Sequence, residues 1–188
     1  MQVPLERIVF SGEEIASRVQ ELGAEITRDY LDEYGPEAEA VLVNVLKGGF
    51  VFLADLVRCL EFSVVIDFLA ITSYAGDGAS TGGVRIMKDL TESIYRRDVL
   101  VVEDIVDTGL TLSYILRNLS SRKPRSLKVC TFLDRLSSRI VPLQVDYRCF
   151  EVGEEFVVGY GLDYGQKWRN LGYVCTLRLE EHPRSDCP

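Results

Sequence analysis

A chain of 188 residues with 47% hydrophobic content is sized for one domain with a buried core of its own. Its 29 acidic and 21 basic residues leave a net charge of -8, which argues against a general nucleic-acid surface or an anionic membrane as partner and admits an anionic substrate only with local compensation from a metal, helix N-termini and a few aimed cations. Magnesium is the expected metal; the scattered cysteines (Cys59, Cys130, Cys149, Cys175, Cys187), the lack of a signal-like N-terminus and the lack of an apolar run near the roughly 20 residues a bilayer requires predict a reduced, soluble, cytoplasmic protein.

Ser11-Gly12-Glu13-Glu14 has the spacing of a capping box, and Ile15, Val19, Leu22 and Ile26 recur at the helical period behind it, so an amphipathic helix with one buried face comes first. Residues 41–46 read as a short buried strand. Lys47-Gly48-Gly49 is then a strand-to-helix turn that sets one cation beside backbone N–H groups, either a simple turn or an anion cradle, and Phe50, Leu53, Leu56, Val57 and Leu60 make the buried face of the next helix. Another strand runs over 62–71. Ser73 and Tyr74 open a stretch that breaks all periodicity before a strand resumes at 84–87. Gly76, Gly78 and Gly82 come near a dinucleotide fingerprint, but the last spacing is wrong and a strand follows. The stretch is either a plain surface loop or a mobile lid with glycine hinges that closes Ser73 and Tyr74 over a ligand and excludes water.

The most informative run is Val99 to Thr111. Val99-Leu100-Val101-Val102 leads straight into Glu103, Asp104 and Asp107, and these into Thr108, Gly109 and Thr111. Buried-type residues do not normally end in adjacent acids unless that end faces a ligand, and in open α/β sheets the ligand crevice lies beyond the carboxyl ends of the strands. Asp107, Thr108, Gly109 and Thr111 sit where backbone N–H groups and two hydroxyls can wrap a terminal phosphate, Gly109 permitting positive φ. Glu103 and Asp104 would repel that phosphate, so they are assigned to something hydroxyl-rich beside it, such as a ribose. The competing reading is a solvated acidic turn followed by an ordinary helix N-cap.

A helix over about 110–119 and a parallel strand over 127–133 follow. Alternating strands and helices predict an α/β fold with a doubly wound, mainly parallel twisted sheet flanked by helices. From Gln144 the pattern changes to short strands at 145–150, 156–160 and 173–177, which with N-terminal residues are expected to form a small hood subdomain over the ligand edge. In the hood, Phe156 is either core or an aromatic that stacks on a planar base, whose edge backbone groups of Val157 would read. The chain thus reads as a single domain over 1–188, with a core at about 35–140 and a hood from the N-terminal residues and about 144–178, ending in a frayed tail that carries the lone histidine, His182.

The run from Val99 to Thr111 resembles the phosphoribosyl pyrophosphate signature of the type I phosphoribosyltransferases. Leu46-Lys47-Gly48-Gly49-Phe50, Ser73-Tyr74, and Phe156 to Tyr164 followed by Arg169 narrow the resemblance to the hypoxanthine-guanine branch, over about residues 8–178. It implies the type I fold and a magnesium-dependent purine-salvage enzyme that transfers the 5-phosphoribosyl group from phosphoribosyl pyrophosphate to N9 of hypoxanthine or guanine, releasing pyrophosphate and a nucleoside monophosphate, IMP or GMP. It also implies a homodimer or homotetramer.

Residue by residue, the resemblance assigns ribose binding to Glu103 and Asp104, and metal binding to those two with Asp163. Asp107 becomes the acid/base near purine N7 and shares the 5-phosphate loop with Thr108, Gly109, Leu110 and Thr111. Lys47, Gly48, Ser73, Tyr74 and Arg169 take the pyrophosphate, with a cis Leu46–Lys47 peptide implied; Arg135, Phe156, Val157 and Asp163 take the purine. Two departures stand out. Arg135 occupies the position of a lysine that donates to purine O6, and its planar fork can pair with Asp134 or another acid, so the choice among hypoxanthine, guanine and xanthine stays open. Leu110 stands where some relatives have lysine. The alternatives are a xanthine or pyrimidine phosphoribosyltransferase, or a regulator of the same fold that senses nucleotides.

Overall fold

The computed structural model describes residues 5–74 and 83–177. Strand β1 (Leu5–Phe10) leads into helix α1 (Gly12–Tyr34), whose start is the expected capping box: Ser11 Oγ accepts from Glu14 N at 3.2 Å and Glu14 Oε2 accepts from Ser11 N at 2.8 Å. Then come β2 (Glu39–Leu46), α2 (Phe50–Leu56) with a 3-10 turn at Val57–Cys59, β3 (Ser63–Tyr74), β4 (Gly83–Lys88), β5 (Asp98–Val106), α3 (Leu110–Ser121) and β6 (Ser126–Asp134). Three short strands follow, β7 (Tyr147–Glu151), β8 (Val157–Val158) and β9 (Val174–Leu177).

Six strands form the main sheet in the order β4-β3-β2-β5-β6-β7, all parallel except the antiparallel edge strand β4. Both faces of its centre are covered, so β2 and β5 are apolar on both sides. Leu42, Leu100 and Val102 pack with α1 and α2 on one face, while Val41, Val43, Val99 and Val101 pack with Leu112, Ile115 and Leu119 of α3 on the other. β2 runs through α2 to β3 in one direction, and β5 runs through α3 to β6 in the other. The gap between β2 and β5 is therefore the topological switch point, with no crossover helix above it. No helix among the described residues is long and apolar enough to cross a membrane.

The second sheet is small and antiparallel, β1-β9-β8, and sets the N-terminal strand beside β9. Three expectations need correction. The strand expected in the hood at 145–150 is instead β7, the sixth strand of the main sheet. Asp146 starts it by accepting from Val129 N at 2.7 Å, its buried Tyr147 and Cys149 belong to the core shared with α1, and Arg18 of α1 donates to the carbonyls of Cys149 (3.1 Å) and Arg148 (2.7 Å), which shields an edge. Phe50 is 45% exposed, because α2 starts at that residue and turns Phe52, Leu53 and Leu56 inward instead. The strand expected over 156–160 has only two residues, since the chain turns at Gly159 and Tyr160, both with positive φ. The glycine-rich run from Gly76 to Gly82, His182 and Cys187 lie outside the described residues.

At the opposite end of β5, Asp98 is buried and accepts from Arg125 Nε (2.9 Å) and Ser126 Oγ (2.8 Å), with a further bond from Arg125 Nη2. Burial alone would raise this carboxyl, but the Arg125 and Ser126 bonds prevail and hold it below its ordinary value. A carboxyl lowered by folding contributes stability above its unfolded pKa, near 3.9, and that contribution is lost as pH falls through the folded value. Asp98→Asn should therefore have a lower urea midpoint than wild type at pH 7, with the difference shrinking below about pH 4. A difference that stays constant from neutral to acid pH would show that the charge on Asp98 is not what matters.

Candidate active site

Two turns meet at the switch point and bound a cavity of about 350 Å3. From the end of β2 come Lys47 and Gly48, joined to the strand by a cis Leu46–Lys47 peptide. A Cβ on Gly48 would fall on the carboxylate of Asp104, so only glycine lets the two turns approach this closely. Just below, the buried Asn44 donates from Nδ2 to Val102 O at 3.1 Å and lashes β2 to β5; its Oδ1 is buried without a partner among the described residues.

The end of β5 supplies the acids. The strand extends through Val106, so Glu103 and Asp104 are strand residues rather than the start of a turn. Glu103 is buried, and desolvation with the adjoining Asp104 charge raises its carboxyl well above the usual range. Desolvation raises Asp104 too, in spite of a 2.8 Å bond from Ile105 N to its Oδ1. Two neighbouring carboxylates removed from water gain from a hard cation or from sugar hydroxyls, and their oxygen-only donor set suits magnesium, which commonly takes one or two protein carboxylates and fills its shell with water and substrate phosphate. Among the described residues no three acid, histidine or cysteine side chains converge on one point, so such an ion would need oxygens from the ligand.

The turn from Asp107 to Thr111 owes its orientation to what holds its carbonyls. Val106 O accepts from Arg135 N (2.9 Å), Asp107 O from Arg139 Nε (3.1 Å), and Thr108 O from Ile140 N and Val141 N (3.0 and 3.1 Å). In a trans peptide the N–H points opposite to the C=O, so tying the Asp107 and Thr108 carbonyls to the 135–141 segment turns the N–H groups of Thr108 and Gly109 the other way. Gly109 has φ 81 and a Cβ there would approach Leu143 Cδ2 to 2.8 Å; the N-terminus of α3 follows at once. Thr108, Gly109 and Thr111 line the cavity, whereas Leu110 does not and is 54% exposed.

Asp107 also lines the cavity. Its Oδ2 lies 3.4 Å from Arg135 Nη1, and its Oδ1 is buried with no partner among the described residues. Arg135 pairs with this acid and not with Asp134, which is held by Arg139 and, at 3.2 Å, by Arg148. The other donors of Arg135 go to backbone carbonyls, Nε to Gly153 (2.7 Å) and Nη2 to Glu155 (2.8 Å). Phe156 follows directly, 41% exposed, its ring edge-on to Tyr164 at 5.5 Å, while Val157 is buried. Neither lines the cavity; Arg135 is the link between them and Asp107.

On the hood side, Asp163 and Arg169 enter the cavity wall as an ion pair at 2.5 Å, and Arg169 Nη1 donates to Gly161 O at 2.7 Å. Ser73 and Tyr74 end β3, and their side chains lie outside the described residues. Sequence reasoning missed Arg139, Asn44 and Gln166. Asn44 carried a signal, a lone polar residue in an apolar strand; Arg139 and Gln166 carried none.

The geometry has counterparts. The phosphoribosyl transferase domain family matches residues 9–165. The hypoxanthine-guanine phosphoribosyltransferase of Mycobacterium avium is 44% identical over 174 residues, 92% of this chain and 86% of the relative; that of Bacillus subtilis is 42% identical over 178 residues, 95% and 96%. Among solved structures, a hypoxanthine-guanine phosphoribosyltransferase from Bacillus anthracis superimposes with TM-score 0.84 at 38% identity, covering 94% of this chain and 100% of that one. A hypoxanthine phosphoribosyltransferase from Staphylococcus aureus gives 0.85 at 42%, covering 93% and 92%.

Arg139 joins the Asp107 carbonyl to the buried acid Asp134, so its loss should be felt in stability. Arg139→Ala is expected to cost about 2 kcal/mol in urea unfolding, below the usual loss for a broken buried pair because Arg148 still faces Asp134. A cost under about 0.5 kcal/mol would mean that the loop is held by its backbone bonds alone.

Proposed function

The chain belongs to the phosphoribosyl transferase family, and from that premise we propose that it transfers the 5-phosphoribosyl group of phosphoribosyl pyrophosphate to N9 of hypoxanthine or guanine, forming IMP or GMP and pyrophosphate. The observation that carries this reading is the meeting, in one cavity, of an N–H-lined phosphate loop, a buried pair of carboxylates and two cations from opposite walls. A sugar that carries a phosphate at one end and a diphosphate at the other satisfies all three. The names of the relatives, matched over 86% and 96% of their own lengths, support the same activity.

In this reading the 5-phosphate rests on the N–H groups and hydroxyls of Thr108 to Thr111, and the ribose hydroxyls bond to Glu103 and Asp104. The diphosphate meets Lys47, the Gly48 backbone and Arg169, with Ser73 and Tyr74 closing over it. Magnesium would be held by Glu103, Asp104 and Asp163 only together with oxygens of the diphosphate, and would supply neutralising charge to that leaving group. The base lies against Phe156 with its edge read by the Val157 backbone, and the Arg135 guanidinium faces its oxo group. As the bond from C1 of the ribose to the diphosphate oxygen breaks and that from C1 to N9 forms, the base loses a proton. Asp107, which lines the cavity, takes that proton from N7. Cytoplasmic action as a homodimer or homotetramer belongs to the same proposal.

Arg135 favours a second possibility for the base alone. A lysine offers one flexible ammonium, whereas this guanidinium is held at three points, so any N–H left for a base has a fixed direction, which would also suit the second oxo group of xanthine. Relative kcat/KM on hypoxanthine, guanine, xanthine and uracil, for wild type and Arg135→Lys, decides between these; identical preferences in both proteins would remove Arg135 from base selection. Asp107→Asn should lower kcat by about 10² to 10⁴-fold with nucleotide binding largely kept, and turnover near wild type would remove Asp107 from proton transfer. Chelation of magnesium should abolish transfer, and its return should restore it.

A further inference from the structure

Lys47, Asp163 and Arg169 line the cavity, and one residue outside its wall touches all three. Gln166 Oε1 accepts from Lys47 Nζ at 3.3 Å and from Arg169 Nη2 at 3.4 Å, and Gln166 N donates to Asp163 Oδ2 at 2.8 Å. The backbone makes this choice of residue unexpected. Gly165 and Gln166 have φ 60 and 65 and are the central pair of a tight turn in which Lys167 N donates to Tyr164 O at 3.2 Å. Both central positions need left-handed conformations, which glycine or asparagine adopts more easily than a glutamine. A long amide side chain in such a place needs a reason beyond the turn, and its contacts supply one.

We infer that Gln166 is a positioning residue that holds the Lys47 ammonium and the Arg169 guanidinium at the spacing a diphosphate requires. Lys47 is exposed and on a four-carbon stem, so without an acceptor it would spread over many rotamers, each of which the diphosphate would have to collect. Two cations also repel each other across the cavity mouth. One amide oxygen accepting from both offsets that repulsion, and because it is neutral it leaves their full charge for the incoming ligand. A carboxylate at the same position would bind both cations more strongly and compete with the diphosphate. The effect belongs to the ground state: Gln166 brings the cations together before the diphosphate arrives and makes no bond to the reacting atoms.

This inference rests on the transferase reading, and the experiment separates the two. Steady-state kinetics with phosphoribosyl pyrophosphate and calorimetric titration with inorganic pyrophosphate and magnesium are run on wild type, Gln166→Ala, Gln166→Glu and Gln166→Gly. Gln166→Ala should raise both KM for the donor and Kd for pyrophosphate roughly tenfold, with kcat within about twofold of wild type. Gln166→Glu should weaken both further. Gln166→Gly relieves the left-handed turn, so it should melt at or above the wild-type temperature while losing donor affinity as Gln166→Ala does, a split that a purely structural role would not produce. Pyrophosphate affinity unchanged in the alanine and glycine variants, or tighter in the glutamate variant, would overturn the role of Gln166. A wild type that transfers nothing from phosphoribosyl pyrophosphate would overturn the transferase reading instead, and the pyrophosphate titrations would still decide on Gln166.

Discussion

The site exists because β2 and β5 lie side by side while the helices that leave them go to opposite faces of the sheet. Elsewhere in a doubly wound sheet, a crossover helix packs over the end of its strand and the neighbouring turn is crowded. Where the crossovers part, two turns are left facing each other with their peptide groups uncommitted. The approach here is limited only by backbone and by the Asp104 carboxylate, which is why Gly48 carries no side chain, and it is held by the Asn44 bond to Val102. The hood completes the enclosure, since Asp163 and Arg169 supply the wall that the absent helix leaves open.

A chain with net charge -8 whose proposed donor carries a phosphate and a diphosphate has to solve its electrostatics locally. Dipoles are one means, since fixing the carbonyls of Asp107 and Thr108 to the 135–141 segment aims N–H groups at the ligand without adding a charge. A second is a small number of cations held in place: Arg169 by Asp163 and Gly161, Lys47 by Gln166. The buried acids Glu103 and Asp104 work in the opposite sense. Desolvation makes them costly as bare anions, and that cost makes the cleft receptive to a cation or to hydroxyls.

In the proposed reading, Arg135 ties recognition of the base to proton transfer. Its guanidinium bonds to the carbonyls just before Phe156 and to the acid assigned to proton transfer, so displacement of the hood loop is felt at Asp107. A lysine reaching the same place has a single ammonium and could not span the two hood carbonyls and Asp107 in one plane. The substitution is thus a change of architecture around the base as well as a change of donor.

Much of this was legible from local pattern. The capping box, the buried face of α1, the apolar runs of β2 and β5 and the sequence from Glu103 to Thr111 are written over a few adjacent residues, and helix and strand periods or a turn's need for glycine depend on nothing farther away. What failed were statements about partners. Residues 145–150 have the look of a hood strand, yet they join the main sheet because Arg18, 131 positions before Cys149, covers their carbonyls and α1 covers their apolar face. Arg135 had two acids to choose from, and Arg139 and Arg148 had already taken the nearer one. Gln166 reads as an ordinary turn residue until the fold brings it within 3.3 Å of Lys47, 119 positions away. The sequence by itself determined the class of fold and the strand, turn and helix from Val99 to Leu119, since each rests on backbone preferences over short spans. Only the tertiary structure decided which charges face one another, since partners as near as Arg139 and Asp134, 5 positions apart, or as far as Lys47 and Gln166, 119 apart, are matched by packing and not by any local period.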